Sequence, residues 1–136
     1  MTATSTASAT ATTVPTTVTY DDTDPGISYS PGWIADTLAG DYNGTYHYSG
    51  SVGSSAQFTF SGTQITLVFN RAYNRGTLNV AIDGTQVMAL SQYMDGVLLQ
   101  QPWTSGVLAP GAHTLRLTHG GGGEYVDIDA IIVSNP

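Results

Sequence analysis

Over residues 18–133 the apolar side chains recur at every second position instead of every third or fourth, and this alternation confines the chain to extended structure. Successive side chains of a strand point to opposite faces, so a period of two puts one face in a core and the other in water. Ala56, Phe58 and Phe60 alternate with Gln57 and Thr59, and Ile65, Leu67 and Phe69 follow beyond Gly62. These two runs predict a hairpin that turns at Gly62. Leu78, Val80 and Ile82 form the next inward set and end at Asp83-Gly84, a dipeptide suited to a two-residue hairpin turn, so residues 86–90 should return beside them. Ala109-Pro110-Gly111-Ala112 turns the chain into residues 113–118, where Leu115 and Leu117 face inward. The four glycines at 120–123 have no side chains to pack and predict a flexible tip before a last strand over 125–133. In that strand Val126, Ile128, Ala130 and Ile132 share one face, and Tyr125, Asp127, Asp129 and Ile131 the other. Residues 33–38 fit a loop with a short helical turn and 45–48 a strand, and this boundary stays open.

About eight short strands at regular spacing, punctuated by Gly, Pro, Asn and Asp, predict an all-β, two-sheet antiparallel β-sandwich of the jelly-roll type. Residues 2–17 hold only Thr, Ala, Ser, Val and Pro, a composition that buries almost nothing. They are expected to be a linker or an expression tail (1–17), with the folded unit over 18–136.

Ten acidic residues stand against three basic ones, with no lysine and a net charge of −7, so nucleic acid and anionic membranes are poor partners. Charged residues are only 10% of the chain, against roughly 25% in ordinary soluble domains. Such a surface suits neutral, hydroxylated partners. The absence of cysteine removes disulfides, thiolate metal sites and thiol nucleophiles. The apolar runs are too short to span a bilayer, and no basic start or apolar leader region follows Met1. Secretion is expected only indirectly, with any leader outside this sequence.

Four blocks stand together in order: Tyr20-Asp21-Asp22-Thr23-Asp24-Pro25 with Ile27 to Trp33; Gly44-Thr45-Tyr46-His47-Tyr48-Ser49; Asn74-Arg75-Gly76 ahead of Val80-Ala81-Ile82-Asp83-Gly84; and Tyr125-Val126-Asp127-Ile128-Asp129-Ala130. In this arrangement the chain resembles the galactose-binding-like jelly-roll domains that serve as accessory carbohydrate-binding modules of secreted glycoside hydrolases and surface proteins. The resemblance implies sugar binding, but domains of one fold bind many ligands. It also implies a structural Ca2+ held by an aspartate of the last strand, best matched by Asp129, with Asp22 or Asp21 from the first strand. Calcium takes six to eight hard oxygens and would neutralise carboxylates brought together from the two chain ends. The glutamates usual in the first strand of such modules are missing here. Asp21, Asp22 and Asp24 serve equally well as turn formers that cap backbone amides, and both readings stand.

Sugar sites stack a flat aromatic ring on the apolar face of a pyranose while a few polar groups select its hydroxyls. Trp33 and Trp103 lie in Pro-, Gly- and Ser-rich segments outside the clear alternation and are candidates for exposed platforms. Tyr73, Asn74 and Arg75 bring an aromatic, an amide and a forked guanidinium together in one loop. Glu124 and Tyr125 follow the glycines at a strand entrance, and these loops are expected to converge at one end. Tyr46 and Tyr48 share a strand face and are expected to be packing residues.

Nothing in the sequence assembles a catalytic constellation. Glu124 is the single glutamate, the three histidines are scattered without H-E-x-x-H spacing, and no nucleophile elbow or phosphate loop occurs. A non-catalytic module is therefore expected, holding an attached secreted enzyme or surface domain on a polysaccharide or oligosaccharide. The rival expectation is a structural or adhesive β-sandwich spacer of a cell-surface protein.

Overall fold

The computed structural model describes residues 16–135, so the expected linker lies almost wholly outside the described residues. Twelve strands, rather than about eight, are connected by turns and one short 3-10 turn at Tyr42–Gly44. They are β1 (Thr16–Asp21), β2 (Ile27–Tyr29), β3 (Trp33–Thr37), β4 (Thr45–Ser49), β5 (Ser55–Ser61) and β6 (Gln64–Ala72). The second half of the chain supplies β7 (Thr77–Ile82), β8 (Thr85–Ser91), β9 (Val97–Thr104), β10 (Ala112–His119), β11 (Val126–Ile128) and β12 (Ala130–Asn135).

One sheet has the order β1-β12-β6-β9 and the other β2-β5-β10-β7-β8, each antiparallel throughout. A third sheet, β11-β4-β3, runs on from the first through Asp129. Apolar side chains of all three meet in one core, with Phe69, Ile65, Leu67, Leu78, Leu115 and Ile131 fully buried. Tyr20 of β1 packs on Phe58 of β5 across the two main layers, with ring centroids 4.9 Å apart. The fold is the antiparallel jelly-roll sandwich that the alternation predicts.

Two expectations are corrected and one open assignment is decided. β5 and β6 do not form a hairpin: β5 pairs with β2 and β10, and β6 with β12 and β9, so the chain changes sheets at Gly62. A side chain at Gly62 would meet Val133 at 2.7 Å and the Ser134 carbonyl at 2.9 Å, so only glycine lets the crossover pass under β12. Alternation reports which face is buried but not which strand lies alongside. The last strand is divided at Asp129 into β11 and β12, each pairing in a different sheet, which is why both of its faces are buried. Residues 33–37, which the sequence leaves open, form edge strand β3 against β4. The Asp83-Gly84 hairpin joins β7 and β8 as predicted, with both turn residues at positive φ (52° and 83°).

Candidate functional site

The loop between β6 and β7 carries Asn74 and Arg75, and it is fixed by the glycine run that follows β10. Gly76 N–H donates to the Tyr125 carbonyl at 2.7 Å, Tyr125 N–H to the Asn74 carbonyl at 3.0 Å and Thr77 N–H to the Gly121 carbonyl at 2.8 Å. The two backbones approach so closely that a Cβ at Gly76 would sit 2.4 Å from the Gly121 oxygen, and one at Gly123 the same distance from the Arg75 oxygen. Here glycine is required for contact between chains. His119 fastens the run: Gly121 N–H donates to its Nδ1 at 3.0 Å, so the ring hydrogen sits on Nε2 and is given to the Glu124 carbonyl at 3.1 Å. The expected flexible tip is instead tied at both ends, and His119, which the sequence presents only as the end of a strand, does the tying.

Against this loop β4 sets Tyr46 and Tyr48 on one face, their rings stacked 5.6 Å apart. Tyr125 meets Tyr48 edge-on at 5.4 Å and 89°. Tyr46, Tyr48, Asn74, Arg75 and Tyr125 enclose a cleft of about 200 Å³. Alternation identifies Tyr46 and Tyr48 as neighbours, but only the pairing of β4 with β11 brings them to the loop.

Arg75 is set by buried partners. Its Nε donates to Asp127 Oδ2 at 2.6 Å and its Nη1 to Asn74 Oδ1 at 2.6 Å. Asp127 is wholly buried, its Oδ1 accepts the Asn70 N–H at 2.8 Å, and its backbone is clamped by both ends of the Gln92 amide. Burial pushes the Asp127 carboxyl up to about 6, with Arg75 opposing the shift. The neighbouring Glu124 carboxylate, through hydrogen bonding and charge, raises the Tyr125 phenol.

The other candidates lie elsewhere. Trp33 belongs to β3 and Trp103 to β9; both are half-buried against the core, and Trp33 Nε1 donates to the Ser55 carbonyl at 3.1 Å. Neither indole stands on a free loop, because runs rich in Gly and Pro flank edge strands as readily as loops. Tyr73 is 70% exposed beside the cleft but outside its walls. Glu124 is exposed next to Tyr125. A larger cavity of about 420 Å³ lies between Gln64, Val107, Leu108, Pro110 and Asn135, but its walls carry no ionisable side chain.

The calcium candidates Asp21, Asp22 and Asp129 are neighbours, Asp22 N–H donating to the Asp129 carbonyl at 3.1 Å, and each carboxylate is hydrogen-bonded. Asp22 is buried with both oxygens engaged, Oδ1 by Thr45 Oγ1 at 2.6 Å and Oδ2 by His47 Nδ1 at 2.6 Å. The His47 ring stacks flat on Tyr29 at 4.0 Å. Asp21 accepts from the Thr23 and Thr45 hydroxyls, and both Asp129 oxygens receive the Tyr42 N–H. Among the described residues no three acidic or histidine side chains converge where a metal could sit. One buried carboxylate oxygen, Asp41 Oδ1, lacks a hydrogen-bond partner. Burial, and next the charge of Asp41, push the Asp129 carboxyl up to about 7, so a proton offsets part of the repulsion here. Asp24 caps the following turn, its Oδ2 accepting the Gly26 N–H at 2.9 Å, as a turn former should.

Comparisons with known proteins agree with this architecture. The family two carbohydrate esterase of Cellvibrio japonicus superposes with a TM-score of 0.64 at 17% identity, over 90% of this chain and 35% of that one. A family 35 carbohydrate binding module from Clostridium thermocellum does so with a TM-score of 0.62 at 16% identity, over 87% and 97%. At such identities the likeness is one of fold. The A type blood N-acetyl-alpha-D-galactosamine deacetylase of Flavonifractor plautii is 31% identical over 103 residues, 76% of this chain. The A type blood alpha-D-galactosamine galactosaminidase of the same organism is 29% identical over 102 residues, 75% of this chain. The chain spans only 13% and 10% of these two relatives. The model of the carbohydrate esterase 2 N-terminal family matches residues 41–124, more than half the chain and most of the cleft, and the chain therefore belongs to that family.

Proposed function

We propose that this domain is a non-catalytic carbohydrate-binding module of a secreted carbohydrate-active protein, and that its sugar site is the cleft of Tyr46, Tyr48, Asn74, Arg75 and Tyr125. The observation that carries the reading is the meeting of three phenol rings with a guanidinium whose direction is fixed by a buried carboxylate. Rings supply apolar faces for a pyranose, and the remaining N–H groups supply donors for its oxygens. The names of the curated relatives concern galactosamine and its N-acetyl form, which makes N-acetylgalactosamine, galactosamine and galactose the first sugars to try. Affinity should be modest, because few contacts must offset the desolvation and immobilisation of a hydrated sugar. A glycan array with affinity gels is the test: retardation by at least one glycan, abolished by Tyr48→Ala in a protein that stays folded, is the result expected. Failure of every glycan to retard the protein would remove the reading.

A second reading, a spacer that docks a neighbouring domain, is favoured by the exposed apolar side chains Tyr93, Val97 and Leu98 near the β6–β9 pairing. In that case Val97→Ser and Leu98→Ser would release the neighbouring domain in limited proteolysis and leave sugar retention intact.

A further inference from the structure

We infer that the cleft takes one terminal sugar unit, a chain end or branch tip, and not an internal stretch of polysaccharide. This rests on the sugar-binding reading above and narrows its ligand. At about 200 Å³ the cleft is smaller than the roughly 300–1,000 Å³ of pockets that enclose drug-sized ligands, and it has room for a single ring.

Its shape points the same way. A site that grips the middle of a chain needs platforms in line and open at both ends, so that successive units can lie across it. Here Tyr125 stands at 89° to Tyr48, so the two rings meet at a corner and do not form platforms in line. The two indoles that might have continued a platform are committed elsewhere, Trp33 to the Ser55 carbonyl and Trp103 to the β9 edge against the core.

The polar complement is also that of one unit. Arg75 has Nε on Asp127 and Nη1 on Asn74, so Nη2 is the guanidinium nitrogen with no partner in the chain among the described residues. Asn74 Oδ1 is taken by Arg75, which leaves the side-chain N–H groups of Asn74. These few donors match the oxygens of one ring. The walls cannot easily open to admit more, because the Arg75–Gly76 backbone lies in van der Waals contact with the glycine run and is hydrogen-bonded to Tyr125. A fixed pocket of this kind gains affinity from preorganisation instead of contact length.

The test is calorimetric titration of the full chain with N-acetylgalactosamine, galactose, glucose and xylose, each beside its homologous oligosaccharides from two to about six units, with glycan-array retention measured in parallel. For the sugar that binds, the affinity per molecule should stay within about threefold from one unit to the longest, and Asn74→Ala should weaken the shortest and longest ligands by the same factor. Affinity that climbs by about tenfold or more between one and four units would overturn the terminal-unit assignment while leaving sugar binding in place. So would retention of polysaccharide with no response to any single sugar. Absence of all response, on gels and array alike, would sink the sugar reading itself and this inference with it.

Discussion

Arg75 Nε lies 2.6 Å from Asp127 Oδ2, and the acid is fully buried while the base reaches a solvent-facing cleft. The pair thus converts an interior position on β11 into a fixed direction at the surface. Two neighbours complete the arrangement, Asn74 on the guanidinium and Gln92 on the Asp127 backbone.

Arg75→Met should cost about 3 kcal/mol in urea unfolding, because it strands a buried carboxylate without its partner. Asp127→Asn keeps the shape and removes the buried charge, so it should cost less. Sugar retention should fall in both variants, since the guanidinium is either gone or no longer held.

Gly76→Ala places a methyl group against the Gly121 oxygen and should destabilise by about 1–3 kcal/mol, with a matching loss of sugar retention as the loop is pushed out. Gly106→Ala is the control, because no atom lies within 4 Å of the added carbon and its φ is not positive. It should change denaturant stability by about 0.5 kcal/mol or less. Equal effects of the two substitutions would contradict the packing described for the glycine run.

Trp33→Phe and Trp103→Phe should lower the melting temperature without affecting glycan retention, because both indoles are half-buried against the core and outside the cleft. Each removes part of a packed ring, and Trp33→Phe also removes the donor to Ser55, so a loss of about 1–3 kcal/mol is expected. Loss of retention at full stability would return the tryptophans to the sugar site.

Acid should stabilise the fold. Asp127 and Asp129 hold their protons to about 6 and about 7, above the ordinary carboxylate value near 3.8, so the native state binds more protons than the unfolded chain between those limits. Stability therefore falls as pH rises through 6 and 7, and the melting temperature should rise by a few degrees when pH is lowered from about 8 to about 5. The exposed His113–Asp83 pair acts in the same sense: the raised His113 value gives stability that is present below its ordinary pKa and lost above its folded one. Because hydrogen bonds and, below about 7, the Asp129 proton hold the acidic group, EDTA and added calcium should leave the melting temperature unchanged at about pH 5. A fall with EDTA that calcium reverses would show instead that an ion is seated among Asp22, Asp41 and Asp129.

Alternation by itself determined that this chain is a β-sandwich, since a period of two buries one face of each strand wherever that strand pairs. The Asp83-Gly84 hairpin was equally legible, because a positive φ at two consecutive positions is a local demand with a local solution. The loop residues Asn74, Arg75 and Tyr125 stood out through their chemistry and polar setting. Partnership was decided only in three dimensions. The separation of β5 from β6, the division of the last strand at Asp129 and the arrival of Tyr46 and Tyr48 beside Arg75 all depend on pairings between residues far apart in sequence. The glycines at 120–123 show the same limit: their freedom is visible in the sequence, but the backbone pressed against them is visible only in the fold.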